Sequence, residues 1–435
     1  MINLLKTLWR DRRGNALVIA GAALPLVIGS AGLATDTIQW TLWARQMQRT
    51  ADSDALAGVY GRLAGQTAPL GDCSGSVPVN RNHTTSNVVT RLGMTPTCTI
   101  VAAAAPWNTA SFMAVKVTLS ASRPLPFSSI FMSTAPTITT SATAAVVSSG
   151  QYCVRALKDT TGTGITFSGN PTVLMGCGMH TNAKGSTAVD ASGSPTITAS
   201  PMAAVGLISG TQNFSTTPPT VFQPYAPPLG DPFATQTASA PVVPNGCNQP
   251  ALQGSSHSVT ASNGTFCYTS LFLNGNGDTA TFTDATIILN GGNLTVNAGG
   301  VLNCTRCTFV MTNQAQGQTA AGTAPGSISI NGGATVTMTA PTSGTYQNIV
   351  IYKDRRATNN CNNCNQINGN SSSTITGAIY APTQEVQFSG TGGLNTNCLQ
   401  LVAWTVTFTG NSSISNTCGP GGPTAWDATM VRLVS

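Results

Sequence analysis

The chain has 435 residues, and only 7% of them are charged, against about 25% in an ordinary soluble domain. The net charge of +6 resides in residues 1–150, which carry 11 Lys or Arg and 5 Asp or Glu, whereas residues 151–435 carry 8 of each. The distal part therefore lacks the basic surface that nucleic-acid binding requires. Short alternating runs of Val, Ile, Thr and Phe predict a mainly β fold rather than disorder.

The first element is an apolar stretch, 14–35, with no charged side chain between Arg13 and Asp36. It predicts a transmembrane helix, because about 20 apolar residues cross a membrane core roughly 30 Å thick. A proline is tolerated in such a helix. The expected anchor residues are Ala16, Leu17, Ile19, Pro25 and Leu33.

A short basic tail, 1–13, precedes this stretch and contains Lys6, Arg10, Arg12 and Arg13. Because positive flanks stay in the cytoplasm, the N-terminus is expected inside and the bulk outside. The chain is then expected to be a single-pass membrane protein. The alternative to a membrane anchor is a cleaved signal peptide, but its apolar region would be shorter than the stretch 14–35. A buried soluble helix does not fit the flanking charges.

Residues 36–150 predict a stalk helix and a small β-rich unit. Trp40 and Trp43 stand where an interfacial aromatic belt would lie, or else pack on the following domain. Gly65–Thr97 indicates a loop, and 112–122 and 137–147 indicate strands. The helix is predicted to about Gly65 from apolar residues at helical spacing, namely Ile38, Leu42, Met47, Ala51, Ala55 and Val59.

This region resembles the TadG-like proteins of tight-adherence (Flp) pilus assembly. These proteins carry a basic RRG, an apolar helix ending in GLA-x-D, and then a helix with an L-Q-x-A-A-D-A-A-A-L-A type core. The later V-x-V, PLPF and SATA patterns are also similar. The matching residues are Arg12, Arg13, Gly14, Gly32, Leu33, Ala34, Asp36, Gln48, Ala51, Asp52, Ala55, Leu56 and Ala57.

The resemblance implies an exported structural protein whose partners are the inner membrane and components of the pilus or its secretion system. Ile19 stands where pseudopilins of a neighbouring class carry a glutamate, five residues after Gly14. A permanent anchor is therefore expected here, rather than a processed pilin subunit. The segment from Tyr152 to Thr196 also resembles the C-terminal regions of some TadG-like exported proteins, which carry a β-helical domain.

Residues 151–435 contain short strands that end in Gly, Asn or Ser turns. The clearest internal similarity is between FSGNPTVLMGCGMH (167–180) and ASGSPTITASPM (191–202). Spacings of about 20–25 residues suit the rungs of a right-handed parallel β-helix. The alternative is an irregular β-sandwich. We expect rungs over 151–215, a Pro-rich linker over 216–246 and a repeat domain over 247–435.

The even number of cysteines indicates disulfides in an oxidising compartment. Two CxxC pairs could instead bind zinc or, less readily, serve redox chemistry. Cys73 and Cys98 form a candidate staple. The cysteines are Cys73, Cys98, Cys153, Cys177, Cys247, Cys267, Cys304, Cys307, Cys361, Cys364, Cys398 and Cys418.

Catalytic patterns are weak. Asp190, Ser192 and Ser194 match the D-x-S-x-S metal-ion motif, but the Ser-Gly-Ser also makes a turn within the repeat. Asp278 and Asp284 could face each other from neighbouring strands, as glycosidic cleavage requires, yet both lie in turn-like sequence. We therefore expect no enzyme and no cofactor. The alternative to pilus assembly is a surface adhesin that binds glycan or a solid surface through its β-helical domain.

Overall fold

The computed structural model describes residues 12–63, 97–102, 114–130, 132–239, 241–245, 247, 258–275, 277–314, 325–356, 365–368, 373–390, 393–396, 398–416 and 426–434. The described chain is mainly β, with one N-terminal apolar helix and a large, closed parallel sheet. It divides into two compact units, one of residues 1–147 with 431–435 and one of residues 148–430.

The first unit begins with a helix of 52 residues, α1 (Arg12–Leu63), which contains the whole predicted span. It also contains the strands β1 (Thr97–Ala102) and β2 (Ala114–Ser122), a short 3-10 helix (Ser128–Ile130) and the start of β3 (Thr137–Ala156). The three strands pair antiparallel in the order β1-β2-β3. This confirms the helix and the strands expected near 112–122 and 137–147.

One face of α1 packs on this small sheet. Met47, Ala51, Ala55 and Val59 are fully buried, four residues apart, against Val115, Val117 and Leu119 of β2 and Ala142 and Ala144 of β3. Small alanines at two of these positions allow the helix to lie close to the strands. The predicted apolar stripe is therefore confirmed from Met47 onward. Ile38 and Leu42, at its start, are instead exposed.

The second unit holds the rest of β3 and the remaining strands, except for residues 431–433 at the end of the last strand, which belong to the first unit. Its first segment contains β4 (Ile165–Gly169), β5 (Thr172–Met175), β6 (Gly178–Thr181), β7 (Val189–Ala191), β8 (Thr196–Thr198), β9 (Met202–Ala204), β10 (Ile208–Ser209), a 3-10 helix (Thr211–Asn213) and β11 (Phe222–Pro224). Its second segment contains β12 (Ser258–Tyr268), β13 (Leu271–Leu273), β14 (Thr279–Asn290), β15 (Leu294–Val296), β16 (Val301–Thr305), β17 (Thr308–Thr312), β18 (Ile328–Ile330), β19 (Thr335–Thr339), β20 (Ile349–Lys353), β21 (Asn365–Ile367), β22 (Thr374–Phe388), β23 (Gly393–Thr396), β24 (Leu399–Gly410), β25 (Ser413–Asn416) and β26 (Trp426–Leu433).

The strand ladders described within this unit are parallel. Ser258 of β12 pairs with Thr279 of β14, and Thr279 pairs in turn with Val301 of β16. The repeat seen in the sequence stacks directly, because Thr172 of SGNPT pairs with Thr196 of SGSPT. A β-sandwich would be built from antiparallel neighbours, so that alternative is wrong for these ladders.

The order of the strands in space differs from their order in the chain. β24 pairs with β22 on one side and with β3 and β4 on the other, so the end of the second segment stacks on the start of the first. Aromatic rings continue across this junction. Phe388, Phe408 and Phe167 form a stacked ladder with ring centroids 5.3 and 5.1 Å apart.

The second half of the Pro-rich segment lies along one face of the parallel sheet, and we call residues 226–239 and 241–245 the strap. Phe233 and Val243 of the strap are buried against Val310, Tyr352 and Tyr380. Both faces of β17 and β20 are therefore covered, which explains their continuously apolar sequences. Prolines suit this position because they have no backbone N–H to leave unpaired.

The strap is fastened to several strands in succession. Pro227 O lies 3.1 Å from His180 Nε2, Asn182 exchanges two hydrogen bonds with Leu229, and Arg155 donates to Gly230 O at 3.1 Å. The Asp231 carboxylate then accepts from Tyr380 OH at 2.7 Å and from Arg355 at 3.1 Å. Because buried donors and acceptors are satisfied in this way, the strap is an integral part of the unit.

His180 makes the strap sensitive to acid. Burial lowers the pKa of His180 from 6.5 to about 4, so the unfolded chain binds an extra proton between these values. Stability is full above pH 6.5 and falls as the pH drops toward 4. We expect the wild type to lose roughly 3 kcal/mol more than His180→Gln between about pH 7 and pH 4. Denaturant unfolding of the full chain in detergent measures this, and an equal acid loss in both proteins would contradict it.

Candidate functional site

Residues with a candidate functional role lie together in two regions of the structure. The first is the junction between α1 and the turn before β3, in the first unit. The second is a groove in the second unit, beside the strap.

At the junction, Asp36 of α1 is buried and its Oδ2 accepts hydrogen bonds from the turn. The donors are the backbone N–H groups of Phe127 (3.0 Å) and Ser128 and the Ser128 hydroxyl (2.7 Å). Three donors on one carboxylate oxygen fix the turn to the helix. One helical turn earlier, Gly32 lies directly under the ring of Phe127, and a methyl group at position 32 would overlap that ring.

A second hydrogen-bonded contact between α1 and the sheet lies further along the helix. The Gln48 amide donates to Asp52 Oδ1 at 2.8 Å within the helix and to the backbone carbonyl of Ser141 in β3 at 3.1 Å. Ala51 is buried on the sheet, and Leu56 packs at its edge. Trp43 is half-buried and carries the Arg123 guanidinium over its ring at 5.3 Å, whereas Trp40 is exposed. Trp43 thus packs on the small β-rich unit, and the interfacial position of Trp40 stays a prediction.

The span residues lie in α1 as expected, and α1 is long and apolar enough to cross a membrane by length and composition. Ile19 and Leu33 are exposed, and Pro25 is accommodated inside the helix. Arg12, Arg13, Gly14, Ala16 and Leu17 belong to the helix. Residues 1–11 lie outside the described residues.

The groove has a volume of about 760 Å³ and runs between the strap and the loop 341–346. An exposed ion pair lines it, in which Arg306 donates to both Asp284 oxygens at 2.6 Å. These hydrogen bonds hold the pKa of Asp284 below its usual value, so that it is ionised at neutral pH. Tyr346, whose pKa burial raises to about 12, also lines the groove. The site therefore presents a fixed cation, a fixed anion and a phenol.

The carboxylates weighed for catalysis lie in different surroundings. Asp278 is buried and accepts from the Asn274 N–H at 2.7 Å, whereas Asp284 faces the groove. Among the described residues that line the groove, Asp284 is the only carboxylate. Asp278 and Asp284 therefore do not face each other across this groove.

The D-x-S-x-S residues lie at the end of β7 and in the turn that follows. Asp190 Oδ1 accepts from the Ser209 hydroxyl at 2.8 Å, and the Ser192 hydroxyl points to Phe167 O at 3.4 Å. The Ser194 N–H donates to Gly169 O at 3.0 Å. These contacts join neighbouring strands. Among the described residues, no group of three His, Cys, Asp or Glu is placed to hold a metal ion.

Three cysteine pairs within the described residues are close enough for disulfides: Cys153–Cys177, Cys247–Cys267 and Cys304–Cys307, with Cα atoms 5.8, 5.1 and 5.6 Å apart. Cys398 is disulfide-bonded as well. The first CxxC pair is thus closed on itself. The side chain of Cys98 and the residues Cys73, Cys361, Cys364 and Cys418 lie outside the described part of the chain.

Comparison of this chain with protein-family models, with characterised proteins and with solved structures finds no match. The TadG-like resemblance therefore stays a prediction. The residues that sequence reasoning missed are Phe127 and Ser128 at the junction and Arg306 and Tyr346 in the groove. The PLPF pattern was the available signal for the junction, while nothing local in the sequence marks the groove.

Proposed function

We propose that this chain is a membrane-anchored, exported structural protein of the TadG-like kind, acting in tight-adherence (Flp) pilus assembly. Its N-terminus lies in the cytoplasm, α1 crosses the inner membrane once, and the bulk is periplasmic or at the cell surface. The supporting observation is that positions resembling the family contact one another. Gly32 and Asp36 meet the turn of the PLPF pattern, and Gln48 meets β3 beside the SATA pattern.

A continuous helix explains what such a protein can do. Because α1 passes without a break from the apolar stretch to the face buried on β2 and β3, the membrane span and the exported unit share one rigid element. A displacement of the span would therefore also move the small sheet that packs on the same helix. In-cell photo-crosslinking from exposed positions such as Arg45 and Arg49 tests the role. Adducts with pilus or secretion components support it, and their absence contradicts it.

For the second unit we propose the right-handed parallel β-helix. Its support includes the stacking of parallel strands that lie roughly 20 residues apart in the chain, where Ser258 pairs with Thr279, Thr279 with Val301 and Thr172 with Thr196. In such a fold inward rows bury the apolar side chains and ladders satisfy the backbone, so few charges are needed. The scarcity of charge in residues 151–435 agrees with this arrangement.

The groove favours a second candidate function, a surface adhesin that binds glycan. Its fixed Asp284–Arg306 pair and the Tyr346 ring offer the polar and aromatic contacts that sugars use. Protease treatment of intact cells discriminates the two functions. Release of the second unit shows that it reaches the cell surface, as the adhesin requires, whereas protection of the unit contradicts the adhesin.

Under the adhesin proposal, Arg306→Gln is expected to weaken binding of a captured glycan about tenfold, because a hydrogen bond to a charged group is worth roughly 1.5–3 kcal/mol. Lys184→Gln, at another exposed cation, is the matched control and should bind as the wild type does. Glycan-array binding by the purified full chain measures both. An unchanged signal for Arg306→Gln would contradict a glycan site in this groove.

A further inference from the structure

The turn between β2 and β3 carries exposed apolar side chains at the place where it docks on α1. Ile130 is 71% exposed and Met132 is 49% exposed. Leu125 is buried and Phe127 is half-buried, and the Phe127 ring packs on Gly32 of α1. Two large exposed apolar side chains in one short turn make that turn a candidate interaction surface. The docking contacts place this surface at the level of Gly32 and Asp36.

That level lies within the apolar part of α1 rather than beyond it. Ile38 and Leu42 follow Asp36 and are 60% and 56% exposed, and the first exposed charge after Asp36 is Arg45. From Ile19 to Leu42 the helix rises about 35 Å, which covers a membrane core and part of an interface. Asp36 would be a charge facing lipid if the turn did not cover it.

The hydroxyl groups of this stretch are folded back on the helix. The exposed Thr35, Thr37 and Thr41 each donate to a carbonyl three or four residues earlier, at 2.8–2.9 Å. Ser30 does the same at 3.0 Å. Hydroxyls satisfied within the helix are what an apolar surrounding requires, and the stretch keeps this property up to Thr41.

Five N–H groups described in the turn are paired as well. The N–H groups of Phe127 and Ser128 are bound to Asp36. Those of Ser129, Ile130 and Met132 are bound to carbonyls of the turn at 2.9–3.2 Å. Pro124 and Pro126 have no N–H. Such pairing lowers the cost of bringing non-helical backbone close to the hydrocarbon core, where no water replaces a missing partner.

We propose that the turn between β2 and β3, described at residues 124–130 and 132, is a second membrane contact, immersed in the outer interface of the bilayer beside α1. Ile130 and Met132 enter the boundary between headgroups and acyl chains, and Arg123, stacked on Trp43, lies at headgroup level. The turn then fixes the rotation of α1 and the orientation of the small sheet on the membrane. This inference rests on the proposed membrane span.

A photo-crosslinking amino acid tests it in the full chain, reconstituted in vesicles of phosphatidylethanolamine and phosphatidylglycerol. The probe replaces Ile130, and the matched control replaces Tyr60, which is exposed near the far end of α1, about 36 Å of helix beyond Asp36. We expect about tenfold more lipid adduct from position 130 than from position 60.

A third probe at Leu26, which is exposed within the span, distinguishes failure of the proposed turn contact from failure of the proposed membrane span. Lipid adducts at 26 and 130 support the inference. Adducts at 26 without adducts at 130, or adducts from 130 to protein, overturn the inference and leave the span intact. Absence of lipid adducts at 26 overturns the span, and with it the proposed anchoring.

Discussion

Phe408→Ala is expected to destabilise the second unit by about 3–5 kcal/mol, the usual cost of removing a fully buried aromatic ring. Phe408 is fully buried and stacks between Phe388 and Phe167, with centroids 5.3 and 5.1 Å away. It belongs to β24, the strand that joins the two segments of the parallel sheet. The cavity left by the missing ring would therefore weaken the contact between the two segments of the second unit.

Chemical denaturation of the full chain in detergent, followed by far-ultraviolet circular dichroism, measures this loss. Leu174→Ala is the matched control, because Leu174 lies in β5 of the same unit but is 43% exposed. Its expected cost is below about 1 kcal/mol. Equal losses in the two variants would show that the aromatic ladder does not hold the segments together.

Lys353 is expected to make the second unit more stable in mild alkali than at neutral pH. Lys353 is buried, and its Nζ donates to Gly326 O at 2.8 Å and to Asn365 Oδ1 at 2.7 Å, both uncharged acceptors. Burial lowers the pKa of Lys353 from 10.5 to about 7. Between these values the unfolded chain binds the extra proton, so the free energy of unfolding rises with pH.

The expected rise is roughly 3 kcal/mol between about pH 7 and pH 9.5. Higher pH is avoided because burial raises the pKa values of Tyr352 and Tyr380, so their contribution to stability is lost as they ionise. Lys353→Met should remove the rise, and Lys184→Met, at an exposed lysine, should keep it. A rise that persists in Lys353→Met would place its origin elsewhere.

Periodicity and repetition predicted those parts of the fold in which neighbours along the chain are neighbours in space. The stripe from Met47 to Val59 is local to one helix, and SGNPT stacks on SGSPT because adjacent parallel strands place like residues over like. The pairing of β24 with β4 joins residues about 240 positions apart and leaves no local pattern.

Composition also hid the role of the strap. A Pro-rich stretch has the same sequence signature whether it is a free linker or lies on a sheet, because proline suits both. Whether such a stretch is free or packed depends on its hydrogen-bond partners. Here Asp231 binds Tyr380 and Arg355 and Leu229 binds Asn182, and each of these partners is distant in sequence. The contact of Gly32 with Phe127 escaped prediction for the same reason.

The most direct test of the anchored topology is protease treatment of spheroplasts from cells that express the full chain with one tag before residue 1 and another at Gly332, in an exposed turn of the second unit. We predict that the distal tag is digested while the N-terminal tag survives on a fragment in the membrane pellet. Survival of the distal tag with loss of the N-terminal tag, or recovery of both tags in the soluble fraction, would contradict the anchor.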